Sequence, residues 1–354
     1  MINERKKIQL KGFTLTELQK YFISIGEPKF RGEQIFNWMY NRMATDFSQM
    51  VNVPKGLRNQ LIENCTLQTL IHFGTQHSDT TGTKKYLFRT EDNKSIETVI
   101  IPDKDRSTLC ISTQVGCPLD CKFCATGLMG YKRNLTSGEV VDQYLLSAKE
   151  KGKKSITNIV YMGMGEPLLN YETTLKSIEI FTHELTKGLS RTRITVSTSG
   201  IPTKIKELAK SGLRVKLAFS LHSAFEDIRS KIMPINKKYS LKNNLEALKF
   251  YASETKTRIT FEYTMLKNIN DRDEDVKAIT KLCSQFPSKI NIIPFNSISH
   301  MNPGGIAAEL KPTSLADIND FADKLRKNNI TVMVRETQGD DITAACGQLA
   351  LINN

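Results

Sequence analysis

The alternation of apolar and polar positions divides the chain into unequal stretches. From Thr14 to about Asn64 apolar residues recur at helical spacing, with Leu15, Leu18, Tyr21 and Phe22 on one face and Ile35, Phe36, Met39 and Tyr40 on another. Gly26, Pro28 and Gly32 punctuate this stretch, which predicts a compact helical region. Residues 66–102 change character: Thr80-Thr81-Gly82-Thr83 reads as a turn leading into a strand at Lys85–Arg89, with another at Ile96–Ile101. From Ser107 onward short β-type runs alternate with amphipathic helical ones. The strands fall at Thr108–Thr113, Ile156–Met162, Arg193–Ser197, Val215–Ser220, Arg258–Met265, Lys289–Pro294 and Thr331–Arg335. A helix starts at the capping box Thr136-x-x-Glu139 and another at Pro202, just inside a first turn. Repeated βα units imply an α/β fold with a parallel sheet, and about six of them predict a partial or complete (βα) barrel with extra C-terminal β/α elements. The expected division is 1–65 helical accessory domain, 66–102 β-rich connecting segment and 103–354 barrel.

Length agrees with this division, because 354 residues exceed what one core comfortably holds. No apolar run approaches the roughly 20 residues that span a bilayer, and none near the N-terminus resembles a signal peptide. A cytoplasmic protein with no membrane partner is expected. The net charge of +13 favours a polyanionic partner, since Lys and Arg release counterions from phosphates. Basic runs stand at Arg5-Lys6-Lys7, around Lys149 to Lys154, and at Lys237-Lys238; any one of them alone reads equally well as a solvated face.

Cysteine usage then changes the picture. There are seven, and three of them, Cys117, Cys121 and Cys124, lie within eight residues, which argues for metal or redox chemistry rather than a disulfide framework. The loop that carries them follows the first barrel strand, and barrel chemistry gathers at strand C-terminal ends. Gly163-Met164-Gly165-Glu166-Pro167 follows the second strand, Ser197-Thr198-Ser199-Gly200 ends the third, Ser220-Leu221-His222 the fourth, and Asn296 the sixth. The C-x3-C-x2-C spacing supplies three thiolates, enough for three irons of a [4Fe–4S] cube with the fourth iron open to a ligand. A zinc site wants four ligands, and a Cys121/Cys124 redox pair leaves Cys117 unexplained.

These cysteines, so placed, resemble the radical S-adenosylmethionine superfamily. The resemblance implies a partial (βα)6 TIM-like barrel, and an open iron that chelates the methionyl end of S-adenosylmethionine and cleaves it to a radical. In that setting Gly165 and its neighbour glycine let backbone approach the cofactor, and Glu166 accepts from its ammonium group. The motifs read together resemble a narrower family, the dual-specificity ribosomal-RNA and transfer-RNA adenine-C2 methyltransferases. They are Gln114-Val115-Gly116-Cys117, Cys124-Ala125-Thr126-Gly127, Arg133-Asn134-Leu135, Met162 to Leu168, Ser197 to Gly200, Ser220 to Ser223, and Ala345-Cys346-Gly347-Gln348-Leu349.

Carbon 2 of adenine is electrophilic, so a radical route is needed to methylate it. The resemblance implies that one S-adenosylmethionine methylates Cys346 and a second, in the same turnover, generates a carbon radical from that methyl group, joining enzyme to RNA. Resolution then falls to Cys110, with Glu97 as proton acceptor; which of the two takes the proton stays open. Gly165, Glu166, Ser197, Ser220, Leu221, His222 and Asn296 correspond to cofactor contacts, although His222 also reads as a hydrogen-bonded structural histidine. Cys65 and Cys283 are expected to be structural. The implied partners are 23S rRNA, an adenosine in the anticodon loop of some tRNAs, and an electron donor such as flavodoxin, with the enzyme a monomer. Two rivals remain: an adenine-C8 methyltransferase of the antibiotic-resistance branch, disfavoured by Pro167 and Ser199, and a non-catalytic zinc-stabilised RNA-binding protein.

Overall fold

The computed structural model describes residues 7–151, 156–186 and 188–350. Arg5 and Lys6 of the first basic run and residues 152–154 of the second lie outside them. Among the described residues a ten-stranded sheet contains β1 (Leu70–His77), β2 (Lys84–Thr90), β3 (Ser95–Asp103), β4 (Arg106–Cys110), β5 (Asn158–Tyr161), β6 (Ile194–Thr198), β7 (Lys216–Ser220), β8 (Ile259–Met265), β9 (Ser288–Pro294) and β10 (Val332–Val334). The strands stand in the sheet in chain order. β1 to β4 pair antiparallel, and β4 to β10 pair parallel. The sheet is α/β, mostly parallel and open, so the barrel is partial rather than complete.

All seven strands expected from Ser107 onward are present, shifted by a few residues at their ends. β4 is the informative difference, stopping at Cys110 instead of Thr113. The buried amide of Gln143 takes over both backbone groups of Ser112: its Oε1 accepts from the Ser112 N–H at 2.7 Å, and its Nε2 donates to the Ser112 carbonyl at 2.9 Å. The sheet ladder ends where that side chain substitutes for a strand. Gln143 lies on the helix Ser137–Lys151, whose Thr136/Glu139 capping box forms with bonds of 2.8 and 3.2 Å. β8 is buried at every position, as a parallel strand covered on both faces should be. Among the described residues no helix is long and apolar enough to cross a membrane.

The N-terminal helices Leu15–Ser24, Phe30–Phe36 and Lys55–Asn64 bury Leu18, Phe22, Ile35 and Phe36 in a core continuous with that of the barrel. The junction is polar and specific. Lys11 pairs with Asp142 at 3.1 Å, both side chains being almost fully buried, and Asp142 also accepts from the Thr69 N–H and hydroxyl. Removing one partner of such a pair strands a buried charge, which costs about 3–5 kcal/mol. Lys11→Met is therefore expected to lower the thermal unfolding temperature markedly while Lys11→Arg largely restores it; equal melting of Lys11→Met and wild type would show that the pair does not hold the helices to the barrel.

Candidate active site

The loop after β4 is set by a two-stranded ribbon, Gln114–Gly116 against Tyr131–Asn134. Gly116 has φ +73°, and a Cβ there would sit 1.8 Å from the Gly130 carbonyl oxygen, so only glycine lets the ribbon close. Cys117 follows, with its N–H on Gly130 O, and a turn from Cys121 O to the Cys124 N–H brings the other two thiols round. A separate apolar cluster, including Leu119, Ile232, Met233, Leu266 and Phe295, surrounds the loop and keeps it dry.

All three thiols line one cavity at the C-terminal ends of the parallel strands. Burial pushes each thiol up, that of Cys117 to about 12, and Cys121 is raised further by the thiols of Cys124 and Cys117 beside it. Uncoordinated, they are neutral; a positively charged metal centre is what would make them thiolates. Among the described residues no three or more His, Cys, Asp or Glu side chains are already arranged as a metal site.

Gly165, Glu166, Ser197, Ser220, His222, Asn296 and Cys346 line the same cavity. Gly165 has φ +96°, and a Cβ there would lie 2.5 Å from the Gln114 side chain, whose Oε1 accepts from the Glu166 N–H at 2.9 Å. The Glu166 carboxylate accepts from the Leu168 and Ser199 N–H groups at 3.1 and 2.8 Å, tying the loop after β5 to the end of β6. Burial nonetheless pushes it up. Asn296 donates to the Cys346 carbonyl at 3.1 Å and accepts from Thr337. Leu221 does not line the cavity: its N–H donates to Glu262 O and its carbonyl accepts from Arg229.

His222 has φ +51°, an uncommon region for a residue with a side chain. Its Nδ1 accepts from the Thr264 N–H at 2.9 Å, which fixes the Nε2–H tautomer. Burial and the Arg229 charge lower its pKa to about 3. The unfolded chain therefore binds a proton that the folded one refuses between pH of about 6.5 and 3, and stability falls as pH drops through that window, by up to about 1.4 kcal/mol per pH unit. His222→Gln is expected to flatten the fall of melting temperature between pH 6.5 and 5; an unchanged slope would mean that the ring is not buried neutral.

The C-terminal segment seals one side of the cavity through its backbone. The Ala125 N–H donates to Gly347 O at 2.7 Å, Thr126 donates to Leu349 O at 2.5 Å, and Gln348 donates to Ser297 O and to Asp340. Cys346 also lines a second cavity, inside the barrel. Cys110 lies on that second cavity, close enough to Cys346 for the Cys346 thiol to raise its pKa further. The residues lining its lower end, at the strand N-termini, include Arg106, Lys216 and Lys289, with Arg335 beside β10.

Glu97 lines neither cavity. It is buried on β3, paired with Lys85 at 3.0 Å, and accepts from the Ala350 N–H; Lys85 in turn donates to Thr343. Burial pushes Glu97 up against the pull of Lys85, and its Oε2 has no hydrogen-bond partner among the described residues. Cys65 accepts or donates at 3.0 Å with Tyr21, and Cys283 is buried on the helix Asp273–Cys283, both away from the cavities.

Sequence reasoning passed over Arg229, Glu262 and Asn291. Arg229, fully buried, donates to Ser199 O, Ser220 O, Leu221 O and Asn236, and so shapes the ends of β6 and β7. Nothing in the short helix Glu226–Ile232 announces that. Glu262 did leave a signal, as the one charged residue of the strand Ile259–Met265, whereas Asn291 shares its strand with Ser288 and Lys289 and stands out less.

Residues 111–280 match the radical SAM superfamily, and residues 8–67 match the ribosomal RNA large subunit methyltransferase N-terminal domain. The chain is 40% identical over 352 residues to a probable dual-specificity RNA methyltransferase RlmN of Christiangramia forsetii, covering 99% of this chain and 97% of that one. It is 42% identical to a dual-specificity RNA methyltransferase RlmN of a Marinomonas species, covering 97% of this chain and 93% of the other. The crystal structure of a radical SAM methyltransferase from Sphaerobacter thermophilus superposes with a TM-score of 0.90 at 40% identity, covering 97% of this chain and 99% of that one. The superfamily implies a [4Fe–4S] cluster and S-adenosylmethionine, the relatives imply RNA as substrate, and the chain belongs to the RlmN family of radical SAM RNA methyltransferases.

Proposed function

We propose that the chain methylates carbon 2 of an adenosine in 23S rRNA and in some tRNAs, with Cys346 as the methyl carrier. The observation that carries this is the position of Cys346 between two cavities, one walled by Cys117, Cys121 and Cys124 and the other by Cys110. A cubane takes its three thiolates on three different irons, so its donors stand apart around a wall, whereas a zinc ion needs four that converge. When bound, the cluster and two S-adenosylmethionine molecules per turnover supply a methyl group and a hydrogen-abstracting radical.

The chain's own residues do the rest. Neutral His222 presents Nε2–H, and Glu166, Ser197 and Ser220 present acceptors, around the cofactor. Cys346 becomes an S-methylcysteine and, through that methyl carbon, holds the RNA base covalently. Cys110 lies near enough to release it. Glu97, which lines neither cavity but meets the closing segment at Ala350, is the proton acceptor this reading assigns, its carboxyl raised by burial and one of its oxygens without a partner among the described residues. Arg106, Lys216, Lys289 and Arg335 attract the phosphates flanking an unstacked base.

Nucleoside mass spectrometry after anaerobic incubation of RNA with reconstituted enzyme, reductant and S-adenosylmethionine tests the reading. The expected product is 2-methyladenosine in both ribosomal and transfer RNA. Finding 8-methyladenosine, or no methylated adenosine, would overturn it.

A further inference from the structure

Three inward-facing rows run up the wall formed by β8 and β9: Thr260 with Lys289, Glu262 with Asn291, and Thr264 with Ile293. The middle row is unusual. Glu262 and Asn291 are directly paired across the strands and are only 5% and 8% exposed. Asn291 Nδ2 donates to Glu262 Oε1 at 3.0 Å, which turns Asn291 Oδ1 away as a buried acceptor with no partner among the described residues. Both line the barrel-interior cavity, and Glu262 also reaches the cavity of the three cysteines. A buried acceptor left open costs free energy unless a ligand satisfies it.

We propose that Glu262 and Asn291 seat the amino-bearing edge of the target adenine, Asn291 accepting from the exocyclic amine and Glu262 donating to N7. This rests on the reading that adenine is the substrate. The amine and N7 lie along one edge of the base, the edge that an amide side chain reads in duplex DNA. Carbon 2 lies on the opposite side of the ring system, so a base held by this edge turns carbon 2 away from β8 and β9. Cys346 and Cys110 line the same cavity, Cys110 from β4, several strands away. Carbon 8 adjoins N7 and would face the wall instead, so the seat favours carbon 2.

Glu262 must carry a proton to donate. Burial pushes its carboxyl up to about 7 despite the Arg335 charge, the Asn291 hydrogen bond and the Lys289 charge. The charged or titratable groups near it are Arg335 beside β10, Lys289 on β9 and the Cys346 thiol. Its second oxygen has no hydrogen bond among the described residues.

The test uses reconstituted holoenzyme and stem-loop RNAs whose target position carries adenosine, purine riboside, which lacks the amine, or 7-deazaadenosine, which lacks N7. Each analogue is expected to cost the wild type about tenfold in kcat/KM, the worth of one hydrogen bond to a buried partner. Asn291→Leu should lose the purine-riboside penalty and keep the other. Glu262→Ala should lose the 7-deazaadenosine penalty, and Glu262→Gln, whose amide still donates, should retain it. Fluorescence anisotropy with unreduced holoenzyme should show the same pattern in RNA affinity, with iron content confirming that each variant is folded. A wild type that treats purine riboside or 7-deazaadenosine like adenosine overturns the seat without needing any variant, as does a pair of variants that keeps both penalties. Absence of methyl transfer even to the adenosine RNA would instead overturn the adenine reading and the seat with it.

Discussion

Cys346→Ala is expected to lower methyl transfer to RNA by at least about a thousandfold, because removing a covalent carrier removes the path rather than weakening it. Iron and sulfide content should stay at the wild-type level. Both expectations follow from how the C-terminal segment docks: it is held by the carbonyls of Cys346, Gly347 and Leu349 and by the Gln348 side chain, none of which the substitution touches. The sulfur hangs free between the cavities. Loss of iron in this variant would make Cys346 part of the cluster site instead, and surviving methylation would remove it from the reaction.

Cys110→Ala should produce the opposite failure, with the first half of the reaction intact and the second blocked. In the proposed sequence the Cys110 thiolate attacks Cys346 Sγ. A sulfur–sulfur bond forms, the carbon–sulfur bond breaks, and its electron pair stays with the methyl carbon on the base, which then takes a proton. Without Cys110 the enzyme should accumulate joined to RNA after a single event, seen as a denaturant-resistant band that carries both RNA and protein and disappears on nuclease treatment. Free 2-methyladenosine at the wild-type rate with no such band would exclude Cys110. Burial and then the Cys346 thiol push the Cys110 thiol far up, while a hydrogen bond from the Met162 backbone and the Arg335 charge draw it back, so Arg335 is the charged group placed to favour the thiolate.

The parallel strands were legible because each is a short apolar run bounded by turn residues, and their one-residue accuracy at β7, β8 and β9 reflects that pattern. The end of β4 was not, because it depends on the Gln143 amide of a helix more than thirty residues away. The three cysteines were found by spacing, and the structure gathers them on one wall with Cys346, although no spacing rule links residues so far apart. Leu221 is an instance of the reverse. It sits in a matched motif, yet both its backbone groups are engaged within the fold. Arg229 escaped notice for a related reason: a guanidinium buried among four acceptors looks, in sequence, like any surface arginine.

The sheet's strands stand in the order in which they leave the ribosome, so each new strand finds its neighbour already in place. Residues 340–350 break that order, running back from beyond β10 to the loop after β4. A chain that has reached β10 but not residue 346 thus holds Cys117, Cys121 and Cys124 and still lacks the thiol that the proposed reaction uses as its carrier. In the proposed reaction, therefore, the thiol wall and the methyl carrier come from opposite ends of the barrel sequence, and only the docking of the closing segment brings them together.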